Sequence, residues 1–146
     1  MELKIRTAIP DDTEELKRLM VQLCEAQGVE FSEKRFKWGI QRRMYDRLQK
    51  HGLIVAENPR ESKKLGGMVF GELIISPHGF AEGYIRTVIT DSQARGLGIG
   101  KQLIEKTIEY LKSMGAEVIH INATEKQKEF YKKFGFKEAY SVLELY

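Results

Sequence analysis

The sequence has very little cysteine and no long apolar run. Its single cysteine, Cys24, cannot form an internal disulfide, so the composition favours a reducing compartment and we expect a cytoplasmic protein. No apolar stretch approaches the ~18 residues of a membrane span, and the amino terminus lacks a signal-peptide pattern. These absences exclude a disulfide-stabilised fold and predict a protein without a membrane partner.

The chain also lacks a strong excess of charge of either sign. Its 24 Lys and Arg residues are interleaved with 21 Asp and Glu residues, which leaves a formal net charge of +3. Nucleic-acid-binding surfaces usually concentrate their basic residues more than this, so we expect no nucleic-acid partner. A local positive patch would still be sufficient for an anionic small molecule. No metal site is predicted.

No linker, repeat or low-complexity segment divides the chain. Its 146 residues, 42% hydrophobic and 31% charged, are sufficient for a real core and are ordinary for a soluble globular protein. We therefore predict a single domain that covers residues 1–146.

The most informative stretch is residues 84–101, which read YIRTVITDSQARGLGIGK. Strand-forming residues lead through a polar turn into a glycine-rich loop, and apolar residues at helical spacing follow. Closely spaced glycines let backbone N–H groups converge, and a helix start adds partial positive charge. The stretch therefore predicts a seat for a phosphate or pyrophosphate.

Two common nucleotide loops do not fit this spacing. A Rossmann fingerprint needs G-x-G-x-x-G, whereas this chain has G-x-G-x-G. A P-loop needs Ser or Thr after Gly-Lys, but Gln102 follows Gly100-Lys101, and Arg95 occupies the first glycine position. The pattern that remains is R-x-x-G-x-G, and its alternative is a glycine-rich turn that only permits tight packing.

Apolar periodicity and turn residues predict the remaining elements. An opening strand (2–8) is followed by a helix from Asp12 to Gly28 and a second helix (33–50). Three strands (53–57, 65–76 and 80–90) then form two antiparallel hairpins before the loop. A helix (98–114), a strand (116–122), a short helix (125–134) and a last strand (136–146) complete the chain. Right-handed crossover makes strand 116–122 parallel to strand 80–90.

A second signature lies near the end of the chain. It consists of Asn122-Ala123 and the run from Phe130 to Phe136, FYKKFGF. With the R-x-x-G-x-G loop, it resembles the GNAT N-acetyltransferase superfamily, whose ending is commonly N-x-x-A-x-x-F-Y-x-K-x-G-F. The chain departs from that pattern at Thr124 and Gln127. The order of predicted elements also matches the family, so the resemblance extends over the whole chain.

The resemblance implies a mixed α/β fold. A central, mostly antiparallel twisted sheet would contain one splayed parallel strand pair and be flanked by about four helices. The implied activity is transfer of the acetyl group of acetyl-CoA to a primary amine, by direct attack in a ternary complex. In the family, the acceptor pocket comes from the first two helices and the late loops, and these segments carry no motif here.

The resemblance also implies which residues bind acetyl-CoA. Backbone groups of Val88 and Thr90 would contact pantetheine, and the N–H groups of residues 96–101 would hold the pyrophosphate. The complete implied set is Val88, Ile89, Thr90, Arg95, Gly96, Leu97, Gly98, Ile99, Gly100, Lys101, Asn122 and Tyr131.

Two residues are implied to act in catalysis. Tyr131 matches the family tyrosine that protonates the departing CoA thiolate, and its alternative is a core aromatic beside Phe130 and Phe134. Glu82, near the start of the strand before the loop, is the best-placed carboxylate for a general base. Its alternative is an ordinary solvated glutamate.

The acceptor prediction rests on strand alternation. Glu82, Tyr84, Arg86 and Val88 should share one face of their strand, with Tyr84 and Arg86 contacting the acceptor. Arg86 either faces an anionic group of the acceptor or forms an ion pair with Glu82 or Glu72. We predict a small amine with an anionic group as acceptor, and a protein N-terminus or lysine as the alternative. A non-catalytic acyl-CoA-binding regulator is a further alternative, and a homodimer remains open.

Overall fold

The computed structural model describes residues 2–146 as a five-stranded sheet flanked by four α-helices. The strands are β1 (Ile5–Thr7), β2 (Leu53–Glu57), β3 (Leu65–Ile75), β4 (Ala81–Thr90) and β5 (Val118–Ile121). The helices are α1 (Thr13–Gln27), α2 (Glu33–Tyr45), α3 (Ile99–Ser113) and α4 (Glu125–Lys132). The strand order is β1-β2-β3-β4-β5, antiparallel except for the parallel β4–β5 pair, which confirms the predicted fold class. No helix in this part of the chain combines the length and apolarity that crossing a membrane requires.

Helix α2 begins where the sequence predicts and ends earlier. The Ser32 hydroxyl accepts the Arg35 N–H at 3.3 Å, and the rings of Phe31 and Phe36 lie 5.7 Å apart across the helix start. The predicted end at residue 50 is wrong, because the helix stops at Tyr45. The Asp46 carboxylate accepts the next free N–H groups, at 2.8 and 3.0 Å, and turns the chain toward β2.

The two faces of the sheet carry separate apolar cores. Helices α1 and α2 cover alternate residues of the strands, among them Val55, Met68 and Phe70. Helix α3 covers the opposite face. Close packing of α3 needs Gly67, since a Cβ atom there would lie 2.7 Å from the Ile89 carbonyl oxygen and 2.8 Å from the Ile99 side chain.

A β-bulge interrupts β4 just before its end. Phe70 pairs with Arg86 but Met68 pairs with Ile89, so one extra residue of β4 is accommodated at Thr87, whose φ is +54°. The alternation therefore changes phase. Ile89 joins the α1/α2 core, and Val88 packs against the α3 core. The prediction that Val88 shares a face with Arg86 is wrong for this reason.

Strands β4 and β5 pair only over part of their length. The ladder joins Glu82 through Ile85 to Val118 through Ile121, and β4 residues 86–90 have no partner on that side within residues 2–146. The two strands therefore separate beyond Ile85. The separation leaves an opening between β4 and the chain after β5, which we call the β4–β5 opening.

The predicted last strand does not form. Residues 136–146 contain no strand and lie beside β5 without pairing to it. Side chains attach this segment, through a Lys128–Glu138 ion pair, a contact between Tyr140 and His120, and packing of Phe136 against Tyr131. Alternating apolar residues do not form a strand unless a neighbouring strand pairs with them. Leu143, one of these apolar residues, is 92% exposed.

Candidate active site

The glycine-rich loop borders an open pocket between β4 and the start of α3. The pocket has a volume of about 430 Å³. The residues that line it are Thr90, Ala94, Arg95, Gly96, Gly98, Ile99, Gly100, Lys101 and Phe130. Most of the loop residues predicted to bind a pyrophosphate therefore surround one pocket.

The walls of this loop pocket are rich in unbonded amide donors. None of the N–H groups of residues 96–101 donates to an acceptor within residues 2–146, and the first helical bond runs from Gln102 N to Gly98 O at 3.1 Å. Gly98 has φ +75°, which glycine adopts without the cost that a Cβ atom imposes. The dipole of α3 adds partial positive charge, so the pocket can bind an anion through its backbone.

A buried carboxylate that we did not predict holds the loop in place. Asp91 accepts hydrogen bonds from the side chain of Gln22 at 3.0 Å and from the Gln93 N–H at 3.2 Å, and it pairs with Arg18 at 3.2 Å. Burial alone raises the pKa of the Asp91 carboxyl, but these bonds and the Arg18 charge outweigh burial and hold the pKa below its usual value. The position of Asp91 in the sequence, between an apolar strand and a glycine-rich loop, could have indicated this role.

The predicted cofactor-binding residues differ in what their side chains do. The side chains of Leu97 and Ile99 pack into the α3 core, and of these two residues Ile99 alone lines the pocket. Arg95 and Lys101 are exposed at the pocket rim.

The sheet face beside the β4–β5 opening carries several polar side chains. Tyr84 Oη donates to Glu82 Oε2 at 3.0 Å, and this hydrogen bond, followed by burial, raises the pKa of Tyr84 to about 12. Arg86 Nε donates to Glu72 Oε1 at 2.7 Å, which is one of the two interactions predicted for Arg86. The Arg86 guanidinium also lies 4.6 Å from the centre of the Tyr84 ring. Its two terminal nitrogens have no partner in the described chain.

Two residues outside the predicted set complete this cluster. His120 of β5 is the register partner of Tyr84, and their rings lie 4.9 Å apart. Tyr140 approaches from the C-terminal segment, with its Oη 3.3 Å from His120 Nδ1. Alternation along strand 116–122 could have identified His120, whereas no sequence pattern places Tyr140 beside it.

Tyr131 and Asn122 line a groove of about 1240 Å³ along β5, α4 and the C-terminal segment, which we call the β5 groove. His120 and Tyr140 line the same groove. Tyr131 is 8% exposed and packs edge-on against Phe130 and Phe136. Burial raises the pKa of its hydroxyl, so the group stays protonated at neutral pH.

This combination of a splayed parallel strand pair and an amide-lined loop can be compared with known proteins. The family model described as "Acetyltransferase (GNAT) domain" matches residues 49–138. The chain belongs to the GNAT acetyltransferase family.

Curated relatives of this GNAT chain share part of its sequence. It is 32% identical over 91 residues to the "Probable glucosamine 6-phosphate N-acetyltransferase 2" of Oryza sativa subsp. japonica, covering 60% of this chain and 55% of the relative. It is 39% identical over 59 residues to the "Glucosamine 6-phosphate N-acetyltransferase" of Trypanosoma brucei brucei, covering 40% of each. The matches span about half the length of these relatives or less.

Solved structures share the GNAT fold over nearly the whole chain. A "predicted acetyltransferase with acetyl-CoA" from Clostridium acetobutylicum superimposes with a TM-score of 0.81 at 21% identity, over 99% of this chain and 96% of that one. The glucosamine-6-phosphate N-acetyltransferase of Arabidopsis thaliana gives 0.76 at 24% identity, over 100% and 99%. At these identities the likeness establishes the fold alone.

Proposed function

We propose that this chain is an acetyl-CoA-dependent N-acetyltransferase that acts by direct attack in a ternary complex. Its acceptor is a small primary amine that carries an anionic group. The observation that carries the proposal is that the loop pocket adjoins the β4–β5 opening. Thr90 lines the loop pocket and is also the last residue of the unpaired part of β4. A diphosphate in the pocket would direct an attached chain along the β4–β5 opening toward Tyr84 and Arg86.

The unpaired side of β4 suits an extended, amide-containing ligand. Residues 86–90 form no ladder with β5, and a bulge residue is left without a regular pairing partner. Pantetheine carries amide groups that can hydrogen-bond to such a strand edge. Val88 and Thr90 are the positions that we assign to this contact, with Ile89 turned into the α1/α2 core.

The reaction requires a neutral amine, a polarised thioester carbonyl and a proton for the leaving sulfur. The amine nitrogen bonds to the thioester carbon, the C–S bond breaks, the nitrogen loses a proton to form the amide, and the thiolate takes a proton. We assign that last proton to Tyr131, whose hydroxyl is protonated at neutral pH because burial of the side chain raises its pKa. Glu82 is the base that the resemblance to the family suggests, and its carboxylate accepts the Tyr84 hydroxyl.

The anionic acceptor rests on Arg86 and on the relatives. Arg86 uses only Nε to bind Glu72, so its terminal nitrogens remain available for a second anion. The relatives named above are glucosamine 6-phosphate N-acetyltransferases, and that acceptor is a small amine with a phosphate group. An amino-sugar phosphate is therefore the first acceptor to test.

The proposal is tested by two measurements on the purified protein. Calorimetry with CoA should detect binding, and free-thiol release with acetyl-CoA should be faster with glucosamine 6-phosphate than with glucosamine. A protein that binds no CoA and releases no thiol with either amine would contradict the enzymatic proposal. CoA binding without turnover on these amines or on peptides would instead favour the regulator, and faster turnover on peptides would contradict the small acceptor.

A further inference from the structure

We propose that His120 takes the proton from the acceptor amine and that Tyr140 orients the His120 imidazole for this task. This inference rests on the proposed N-acetyltransferase function, since it assigns a base to the same reaction. It replaces Glu82 as the base and gives Glu82 the task of holding the Tyr84 hydroxyl.

Position along the strands favours His120. The β4–β5 ladder ends at the pair of Ile85 with Ile121, and the pair of Tyr84 with His120 comes one residue earlier. A thioester whose carrier follows the β4–β5 opening would stop where the strands meet. His120 lies about 3 Å along the strand from that point, because each residue advances a strand by about 3.3 Å.

Glu82 lies farther from the same point and is already engaged. It pairs with Val118, three residues before the end of the ladder, which corresponds to about 10 Å along the strand. Its carboxylate accepts the Tyr84 hydroxyl at 3.0 Å. His120 lines the β5 groove together with Tyr131, the proposed acid, whereas Glu82 does not.

Tyr140 determines which ring nitrogen of His120 can act. Tyr140 Oη lies 3.3 Å from Nδ1, and Nε2 has no partner within residues 2–146. When Nδ1–H donates to Tyr140 Oη, Nε2 carries the lone pair and can accept a proton. The Lys128–Glu138 ion pair ties the segment that carries Tyr140 to α4.

The proton balance is complete without another reactant. The acceptor ammonium gives one proton to His120 Nε2, and the neutral amine then attacks the thioester carbon. The nitrogen loses its second proton to solvent as the C–S bond breaks and the amide forms. The imidazolium is left beside the Tyr84 ring and the Tyr140 hydroxyl, and the thiolate takes its proton from Tyr131. Exchange with solvent after product release restores both groups.

The test is the pH dependence of kcat at saturating acceptor for the wild type and for His120→Gln and Glu82→Gln. General base catalysis typically contributes about 10²–10⁴-fold, so His120→Gln should lose at least about 100-fold in kcat. The kcat of this variant should also no longer decrease toward acid pH, while its CoA affinity in calorimetry stays unchanged. Glu82→Gln should retain that decrease.

Controls separate catalysis from folding. His78→Gln alters an exposed turn histidine whose ring contacts the Ser76 hydroxyl, and it should match the wild type. If His120→Gln folds poorly, imidazole added to His120→Ala should restore turnover, and Tyr140→Phe should lower kcat at unchanged KM for acetyl-CoA.

The outcomes are distinguishable from failure of the proposed function. A wild type without acetyl transfer to any amine would overturn the proposed function and this inference together. A His120→Gln variant that keeps wild-type kcat and its fall toward acid pH would overturn the inference alone. A Glu82→Gln variant that loses both the wild-type kcat and its decrease toward acid pH would also overturn the inference.

Discussion

The sharpest prediction concerns charge in the loop pocket and uses two substitutions of the same size. Gly98→Glu and Gly98→Gln both place a side chain of the same length at a position where an added Cβ atom meets nothing within 4 Å. Both also impose the left-handed φ of +75° on a residue with a Cβ atom, at a cost of about 1–2 kcal/mol. They differ only in the carboxylate.

The carboxylate should decide CoA affinity. Like charges about 4 Å apart repel by about 4 kcal/mol at an effective dielectric constant of 20, which corresponds to about three decades in Kd. Salt screening reduces this figure, so we expect Gly98→Glu to bind CoA at least about 100-fold more weakly than Gly98→Gln.

Calorimetry at low salt measures this difference, and thermal unfolding checks that the two variants are equally stable. Each should melt only a few degrees below the wild type, because about 1 kcal/mol corresponds to about 2–4 °C in a domain of this size. Equal CoA affinities in two folded variants would refute the assignment of the loop pocket to a diphosphate.

Three further predictions concern the proton donor, the acceptor contact and the loop anchor. Tyr131→Phe should lower kcat about 10²–10⁴-fold with little change in CoA affinity, and wild-type kcat across neutral and alkaline pH would remove Tyr131 from the mechanism. Arg86→Met should lower kcat/KM about one to two decades for amines with an anionic group and much less for matched neutral amines, since charged hydrogen bonds contribute about 1.5–3 kcal/mol. An equal decrease in kcat/KM for both kinds of amine would contradict a contact between Arg86 and the acceptor and would leave Arg86 only its ion pair with Glu72. Asp91 stabilises the fold above its unfolded pKa of about 3.9 and loses that contribution as pH falls through its lower folded pKa. Chemical denaturation should therefore show a deficit for Asp91→Asn at pH 7 that shrinks below about pH 4, and a deficit independent of pH would contradict this origin.

Most helices and strands could be predicted from the sequence because apolar spacing and turn residues mark them within short stretches of the chain. The strands 53–57 and 65–76 were bounded by turn residues, and the observed β2 and β3 agree with them to within one residue. Helix α3 follows from its apolar spacing and Gly115. The family resemblance was visible because its two signatures consist of contiguous residues.

The remaining features depend on contacts between distant segments. The bulge at Thr87 follows from matching β4 to β3, and nothing within residues 80–90 reveals that an extra residue must be accommodated there. Residues 136–146 have the alternation of a strand but form none, since pairing requires a neighbour as well as a pattern. The contact of Tyr140 with His120 spans 20 residues and belongs to that same irregular segment.

The bulge in β4 makes one strand behave as two modules. Before Thr87, the residues that face α1 and α2 are Glu82, Tyr84 and Arg86, all partly accessible; after it, the residue on that face is the buried Ile89. Because the phase changes between the two halves, substitutions in the first half can alter acceptor preference without disturbing the half that adjoins the loop pocket. A family could diversify its acceptors along this strand and keep the same acyl donor.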